Sequence, residues 1–126
     1  MPDPTPAAPD PFLNARALVL RDLRAYRLDT GRVVSLLDDV LEHRRWWVQQ
    51  WPDGAVFLPC LVAQDVQEAL AEEVGEWPLC RHCAALATAD RGRHPLRITP
   101  DLGEDPHWVC EESGTLVAAV GGLTGL

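Results

Sequence analysis

The chain contains no lysine, and all eleven of its basic residues are arginine. A lysine Schiff base and a P-loop both require a lysine, so these two chemistries are excluded. Asn14 and Ile98 are the sole residues of their types, while alanine, glycine, proline, valine and leucine are abundant. The abundant residues have GC-rich codons, and we interpret this usage as the coding bias of a high-GC bacterium.

Long apolar runs are also missing from the chain. No stretch approaches the roughly 20 apolar residues that a transmembrane helix needs. Met1–Pro11 is rich in proline and acidic, without the basic and apolar regions of a secretory signal peptide. We therefore expect a cytoplasmic protein without membrane contact. Because disulfides are rare in the cytoplasm, the four cysteines are expected to be metal ligands or redox thiols rather than members of structural disulfides.

The charge is strongly negative for a chain of 126 residues, with a formal net charge of −8 and a pI near 4.8. Loose binding to a polyanion is therefore disfavoured. The charge is uneven, because arginines are concentrated between Arg16 and Arg32 while acidic residues dominate Asp65–Glu76 and Asp101–Glu112. A basic stripe on the first helix (Arg16, Arg24 and Arg27) keeps nucleic-acid binding open as an alternative.

The hydrophobic pattern predicts an α+β fold, with a helical N-terminal portion packed on a small antiparallel β unit. Residues 1–11 are expected to form a disordered proline-rich tail, because five prolines prevent regular structure there. Residues 12–126 are expected to form a single domain. Within it, residues 12–76 should be mainly helical, and residues 77–126 should contain the β unit.

Apolar spacing predicts three helices, at residues 12–28, 32–50 and 64–74. Leu13, Ala17, Leu20 and Leu23 are expected to share the apolar side of the first helix. After the turn at residues 51–54, Ala55–Leu58 is predicted to be a short strand that ends at Pro59. An alternative pairs residues 47–50 with that strand as a hairpin. Three further strands are predicted at residues 96–99, 107–110 and 116–120.

The most specific motif is Cys80-Arg81-His82-Cys83, in which two thiols have the C-x2-C spacing of one metal knuckle. A tight turn with this spacing lets both sulfurs face one centre. Downstream, Trp108-Val109-Cys110-Glu111-Glu112-Ser113-Gly114 resembles the second knuckle of a zinc ribbon, with Ser113 where the second cysteine would stand. The resemblance covers the C-terminal part of the chain and implies a bound Zn2+ ion.

The fourth ligand has to come from elsewhere, and three histidines are candidates. His94 ranks first because Pro95 would stiffen the backbone beside it. His107 has H-x2-C spacing to Cys110 but precedes the turn, and His82 lies inside the first knuckle, where side chains usually point away. The predicted ligand set is therefore Cys80, Cys83, His94 and Cys110, forming a closed structural site.

Other interpretations of the thiols remain open. Cys80 and Cys83 could be a redox pair or two unliganded thiols, although the surrounding pattern lacks a thioredoxin-like βαβ unit. Cys60 is expected to be an inert core thiol, with metal ligation as the alternative. The sequence contains no nucleophile elbow and no H-E-x-x-H motif.

These observations favour a non-enzymatic, zinc-stabilised adaptor or regulatory protein that binds another protein. Trp46 and Trp47 cannot both face the core of one regular helix, so one of them is expected to be exposed as a contact residue. The arginine stripe is expected to contribute to the same contact surface. A nucleic-acid-binding regulator and a thiol-redox or zinc enzyme are the alternatives. The apolar C-terminal residues 120–126 are expected to be frayed or to insert into a partner.

Overall fold

The computed structural model describes residues 10–81 and 94–124 and has the predicted α+β architecture. The helical part consists of α1 (Pro11–Ala25), α2 (Gly31–Gln50), a 3-10 helix (Pro52–Phe57) and α3 (Leu58–Glu73). The β part consists of β1 (Arg97–Thr99), β2 (His107–Val109) and β3 (Leu116–Ala119). No helix in the described ranges is both long and apolar enough to cross a membrane.

Helices α1 and α2 begin at side-chain caps that the sequence supplies. The carboxylate of Asp10 accepts a hydrogen bond from the backbone N–H of Phe12 at 2.8 Å, and Pro11 occupies the first turn. The hydroxyl of Thr30 accepts a bond from the N–H of Val33 at 3.3 Å. These bonds satisfy N–H groups that have no partner inside the helix. The predicted break between the helices is therefore confirmed, while residues 1–9 lie outside the described ranges.

The apolar side predicted for α1 is correct for Leu23, which is buried, but wrong for Leu13, which is 64% exposed, and for Ala17, which also faces solvent. The buried residues of α1 are Phe12, Ala15, Val19, Asp22 and Leu23. This stripe has regular helical spacing, but it includes an aspartate that a hydrophobic pattern assigns to water. The helix therefore directs Asp22 to the core and Leu13 to solvent.

The strand predicted at Ala55–Leu58 is also wrong, as is the alternative hairpin. The chain forms the 3-10 helix there and enters α3 at Leu58, several residues before the predicted start. Pro59 occupies the first turn of α3, where its missing N–H costs no hydrogen bond. Pro59 thus begins a helix and does not end a strand.

Helix α3 ends at Glu73, and Gly75 follows with φ +144°, donating its N–H to the carbonyl of Leu70 at 2.7 Å. Its predicted apolar stripe is correct for Val66 and Leu70, which are buried, but wrong for Val74, which is 52% exposed. The glycine takes a backbone conformation that residues with a Cβ rarely adopt, and so it ends the helix.

The three strands form one antiparallel sheet in the order β1-β2-β3, and each lies within a residue or two of its predicted position. Ile98 pairs with Trp108, which pairs in turn with Ala118. The side chains of Ile98 and Trp108 are buried against the helices, and the Trp108 ring meets Trp77 edge-on at a centroid distance of 5.4 Å. The sheet and the helices therefore share one hydrophobic core.

Polar side chains of α3 bind the backbone of the β unit. The Gln67 amide donates to the carbonyl of Leu96 at 2.7 Å, and the Gln64 amide donates to that of Asp101 at 2.7 Å. These bonds fix the start of β1 and the loop after it against one helix. The position of His94, just before β1, thus depends on α3.

Candidate metal centre

Cys80 and His94 are neighbours because two extended segments pair beside the main sheet. The N–H of Cys80 donates to the carbonyl of His94 at 2.9 Å, and the N–H of Leu96 donates to the carbonyl of Pro78 at 2.7 Å. Leu79 and Pro95 form a β-bridge between these two bonds. This pairing brings together side chains that are fourteen positions apart in the sequence.

Cys110 joins them from the end of β2, at the start of a tight turn. Its N–H donates to the carbonyl of Thr115 at 2.9 Å, and its own carbonyl accepts a bond from Gly114 at 2.8 Å. Gly114 has φ +72°, which favours glycine at this position. The turn fixes the direction of the Cys110 thiol with respect to the sheet.

The donor atoms of Cys80, His94 and Cys110 all lie within 4.8 Å of one another. The Nε2 atom of His94 is 3.4 Å from the Sγ atom of Cys110. Standard Zn–S and Zn–N bonds at a tetrahedral angle place sulfur and nitrogen about 3.6 Å apart. The spacing and chemistry of the three donors therefore fit a tetrahedral metal ion.

Two of the three clustered residues are buried in the core. Cys80 and Cys110 are buried, and His94 is half-buried. The other ring nitrogen of His94, Nδ1, is buried and has no hydrogen-bond partner among the described residues. Burial of both cysteines is more typical of a structural than of a catalytic zinc site.

Of the four predicted ligands, the fold brings together three, and Cys83 lies outside the described residues. His82 lies outside them as well. His107 is not part of the cluster, and its Nδ1 atom is 2.9 Å from the carbonyl oxygen of Asp105. Ser113 is exposed and donates its hydroxyl to that of Thr115 at 2.8 Å. The complete ligand set remains a prediction.

Arg81 has a structural role that sequence analysis missed. Its guanidinium lies over the Tyr26 ring, 3.7 Å from the centroid, and donates to the carbonyl of Ala25 at 2.7 Å. The same group donates to the carbonyl of Thr124. The Tyr26 hydroxyl in turn donates to the carbonyl of Leu79. The residues on both sides of Cys80 are thus attached to the end of α1, where a cation also suits the helix dipole.

Asp22 is the second residue whose role the sequence did not reveal. Its buried carboxylate accepts bonds from the Trp108 indole at 2.8 Å, from the N–H of Gly121 at 2.7 Å and from the N–H of Leu123 at 3.0 Å. Burial raises its pKa, although the three donors act in the opposite direction. Asp22 joins α1 to β2 and the C-terminal segment, so residues 120–124 are docked rather than frayed.

Cys60 lies apart from the cluster, in the first turn of α3, and is fully buried. Its thiol is 3.2 Å from the carbonyl oxygen of Pro100 and 3.4 Å from that of Asp101. Burial raises the pKa of this thiol and thus favours its protonated form. These contacts support the expected role of Cys60 as a core thiol.

The surface residues proposed for partner contact differ in their environments. Arg16 pairs with Asp38 at 2.9 Å, and Arg24 pairs with Asp29 at 3.4 Å, so acidic neighbours partly neutralise the arginine stripe. Trp46 is 60% exposed, whereas Trp47 is half-buried. The expectation that one of these two tryptophans faces solvent is confirmed.

Comparison with known proteins gives one family. The family described as "Domain of unknown function (DUF8819)" matches residues 8–120. Because this match covers most of the chain, including α1–α3 and β1–β3, the chain belongs to that family. No curated protein and no solved structure matches the chain.

Proposed function

We propose that the chain is a non-enzymatic, zinc-stabilised adaptor or regulatory domain of the cytoplasm that acts by binding another protein. The observation that carries the proposal is the cluster of Cys80, His94 and Cys110, whose donor atoms lie within 4.8 Å of one another. Two thiols and an imidazole are ligands that zinc prefers. Bound zinc would supply a cross-link between the 77–81 segment, the start of β1 and the end of β2.

A structural role is favoured over a catalytic one by the burial of both cysteines. A catalytic zinc keeps an open coordination position for water or substrate. The expected contact surface includes Trp46, because large exposed aromatic side chains are enriched where proteins bind each other. The ion pairs of Arg16 and Arg24, together with the net charge of −8, weaken the nucleic-acid alternative.

Metal analysis of the purified chain tests the zinc proposal. We expect about one zinc ion per chain, and we expect cobalt(II) substitution to give the visible absorption of a tetrahedral thiolate complex. His94→Ala and Cys110→Ser should each lower metal affinity by about tenfold or more. A folded chain without stoichiometric metal would contradict the proposal.

Two control variants separate ligation from general damage to the fold. His107→Ala removes the other candidate histidine of the β unit, and Cys60→Ala removes a buried thiol outside the cluster. Both variants should retain the metal and the cobalt spectrum. Loss of metal in His107→Ala, with retention in His94→Ala, would show that the ligand assignment is wrong.

A further inference from the structure

A groove of about 460 Å³ runs between the outer faces of α2 and α3. The two helices are antiparallel, since Arg32 at the start of α2 pairs with Glu73 at the end of α3, and Arg44 further along α2 pairs with Asp65 in the middle of α3. The groove has half-buried apolar side chains on its floor and exposed carboxylates on its rim. The floor contains Leu36, Val40 and Ala69, and the rim contains Asp39, Glu68 and Glu72.

The rim carries an unbalanced negative charge. Arg44 also lines the groove, but its guanidinium makes two bonds to the Asp65 carboxylate, at 2.6 and 3.0 Å. That pair is neutral overall. Within the described part of the chain, Asp39, Glu68 and Glu72 form no ion pair within 4.0 Å. The charges of Asp39 and Glu72 are thus available to a ligand that covers the groove, while Glu68 also interacts electrostatically with the Arg44 guanidinium.

Beyond the groove, aromatic side chains follow on the same side of α2. Leu36, Val40 and Trp47 have the spacing of one stripe on α2, and Trp47 meets Trp51 edge-on at 5.1 Å. Trp46 directly precedes Trp47 in the same turn of the helix, and its ring is exposed. From Leu36 to Trp51 the stripe extends about 22 Å, which is roughly four helical turns.

We propose that this groove binds a basic amphipathic helix of a partner protein. The proposal rests on the proposed protein-binding function and names the chemistry of the partner. The apolar face of such a helix would cover Leu36, Val40 and Ala69, while its flanking arginine or lysine side chains would meet the rim carboxylates. Opposite charges on the two surfaces raise the association rate and fix the orientation of the bound helix.

Peptide binding to the zinc-loaded full chain tests the proposal. The probe is a labelled peptide of about 18 residues, with leucine and alanine on one helical face and arginine on its flanks, and binding is followed by fluorescence anisotropy. We expect saturable binding that weakens as salt is raised. A scrambled peptide of the same composition should bind at least about tenfold more weakly, because it lacks an apolar face. Equal binding of both peptides, or of neither, would overturn the proposal.

Charge-reversal variants locate the binding site. Glu68→Lys with Glu72→Lys should weaken binding by about tenfold, since two charges that attract the basic helix become charges that repel it. Glu72→Lys alone should give a smaller loss and provides a milder variant if the double change perturbs folding. The matched control is Glu42→Lys with Glu104→Lys, which changes the net charge equally at exposed positions outside the groove. An equal loss in the control would overturn the assignment to the groove.

Sedimentation of the free chain tests a different occupant of the groove. A dimer that dissociates in the Glu68→Lys, Glu72→Lys variant would assign the groove to a second copy and overturn the partner-helix proposal. A monomer that binds the peptide supports the partner-helix proposal.

Metal content is measured on the same samples. A zinc-free chain that binds the peptide contradicts the zinc proposal alone. A zinc-loaded chain that fails to bind contradicts the groove proposal alone.

Discussion

Asp22 lies within the apolar face of α1 and is as buried as the aliphatic residues around it. Isolated carboxylates are costly to bury, and the cost is reduced here by three N–H donors. The donors belong to Trp108, Gly121 and Leu123, so one side chain connects the first helix to the last segments of the domain. This makes Asp22 a determinant of the tertiary arrangement rather than of local structure.

Replacement of Asp22 tests this role. Asp22→Ala would leave buried donors unsatisfied, and we expect it to lower the free energy of unfolding by about 3 kcal/mol or more. Urea denaturation followed by circular dichroism measures the change. Asp38→Ala is the control, because it removes the partner of Arg16 in an exposed ion pair and should cost less than about 1 kcal/mol. Similar losses in the two variants would contradict the role of Asp22.

Because the pKa of Asp22 is raised, the contribution of this residue to the free energy of unfolding should decrease as pH rises. The folded state binds this proton more tightly than the unfolded state, whose carboxyl has the ordinary pKa of 3.8. The contribution of the group to stability is therefore present below about pH 3.8 and is lost as pH rises through the folded pKa. Asp22→Asn resembles the protonated form at every pH. The stability of the native chain relative to this variant should decrease as pH rises, and an increase would show that the pKa is depressed.

At the scale of secondary-structure elements, the connection from α2 to α3 depends on a glycine beneath two indole rings. A Cβ on Gly54 would lie 2.6 Å from the Trp51 ring and 2.7 Å from the Trp47 ring. Both rings would have to move to accept a side chain. The close approach of the 3-10 helix to α2 thus requires glycine at this position.

Two glycine substitutions should have opposite effects. Gly54→Ala is expected to destabilise the domain by about 1–3 kcal/mol, because it overpacks the tryptophan pair. Gly31→Ala, at the start of α2, has no atom within 4 Å of the added Cβ and should stabilise by about 0.4–1 kcal/mol. Thermal unfolding measures both changes, and tryptophan fluorescence should change in Gly54→Ala alone. If Gly54→Ala left the stability of the domain unchanged, the two tryptophan rings would be loosely packed around this position.

At the scale of the whole molecule, a shared core and buried hydrogen bonds connect the helices to the sheet. They share one core, in which Trp108 packs with Trp77. Asp22 and Arg81 connect α1 to the β unit by hydrogen bonds. The proposed metal cross-links the β unit itself. The β unit contains short strands of three or four residues, so it depends on these connections more than α2 does.

Metal removal should therefore affect the two parts unequally. Under the zinc proposal, chelation at neutral pH should increase amide exchange in β1, β2 and residues 110–115 by about tenfold or more. Exchange in the middle of α2 should change by less than about threefold. Hydrogen exchange with mass spectrometry measures both regions. A uniform increase across the chain would show that the whole domain depends on the metal.

Local patterns predicted several elements well. Short apolar runs between turn residues correctly predicted the positions of β1, β2 and β3. The turn residues Asp29–Gly31 correctly predicted the break between α1 and α2. The same patterns failed around Pro59, because a proline is compatible with both the end of a strand and the first turn of a helix. Residue spacing also indicated that Cys80, His94 and Cys110 belong to one site, and the fold brings these three side chains together.

By itself, the sequence determined the break between α1 and α2, the positions of the three strands in the C-terminal part and the chemistry of the candidate ligands. These features depend on neighbouring residues, whose preferences can be read locally. The tertiary structure alone decided that Asp22 is buried, that Arg81 binds the end of α1 and that α2 and α3 form an acidic groove. Each of these depends on groups far apart in the sequence, because burial and hydrogen-bond partners are set by packing in space.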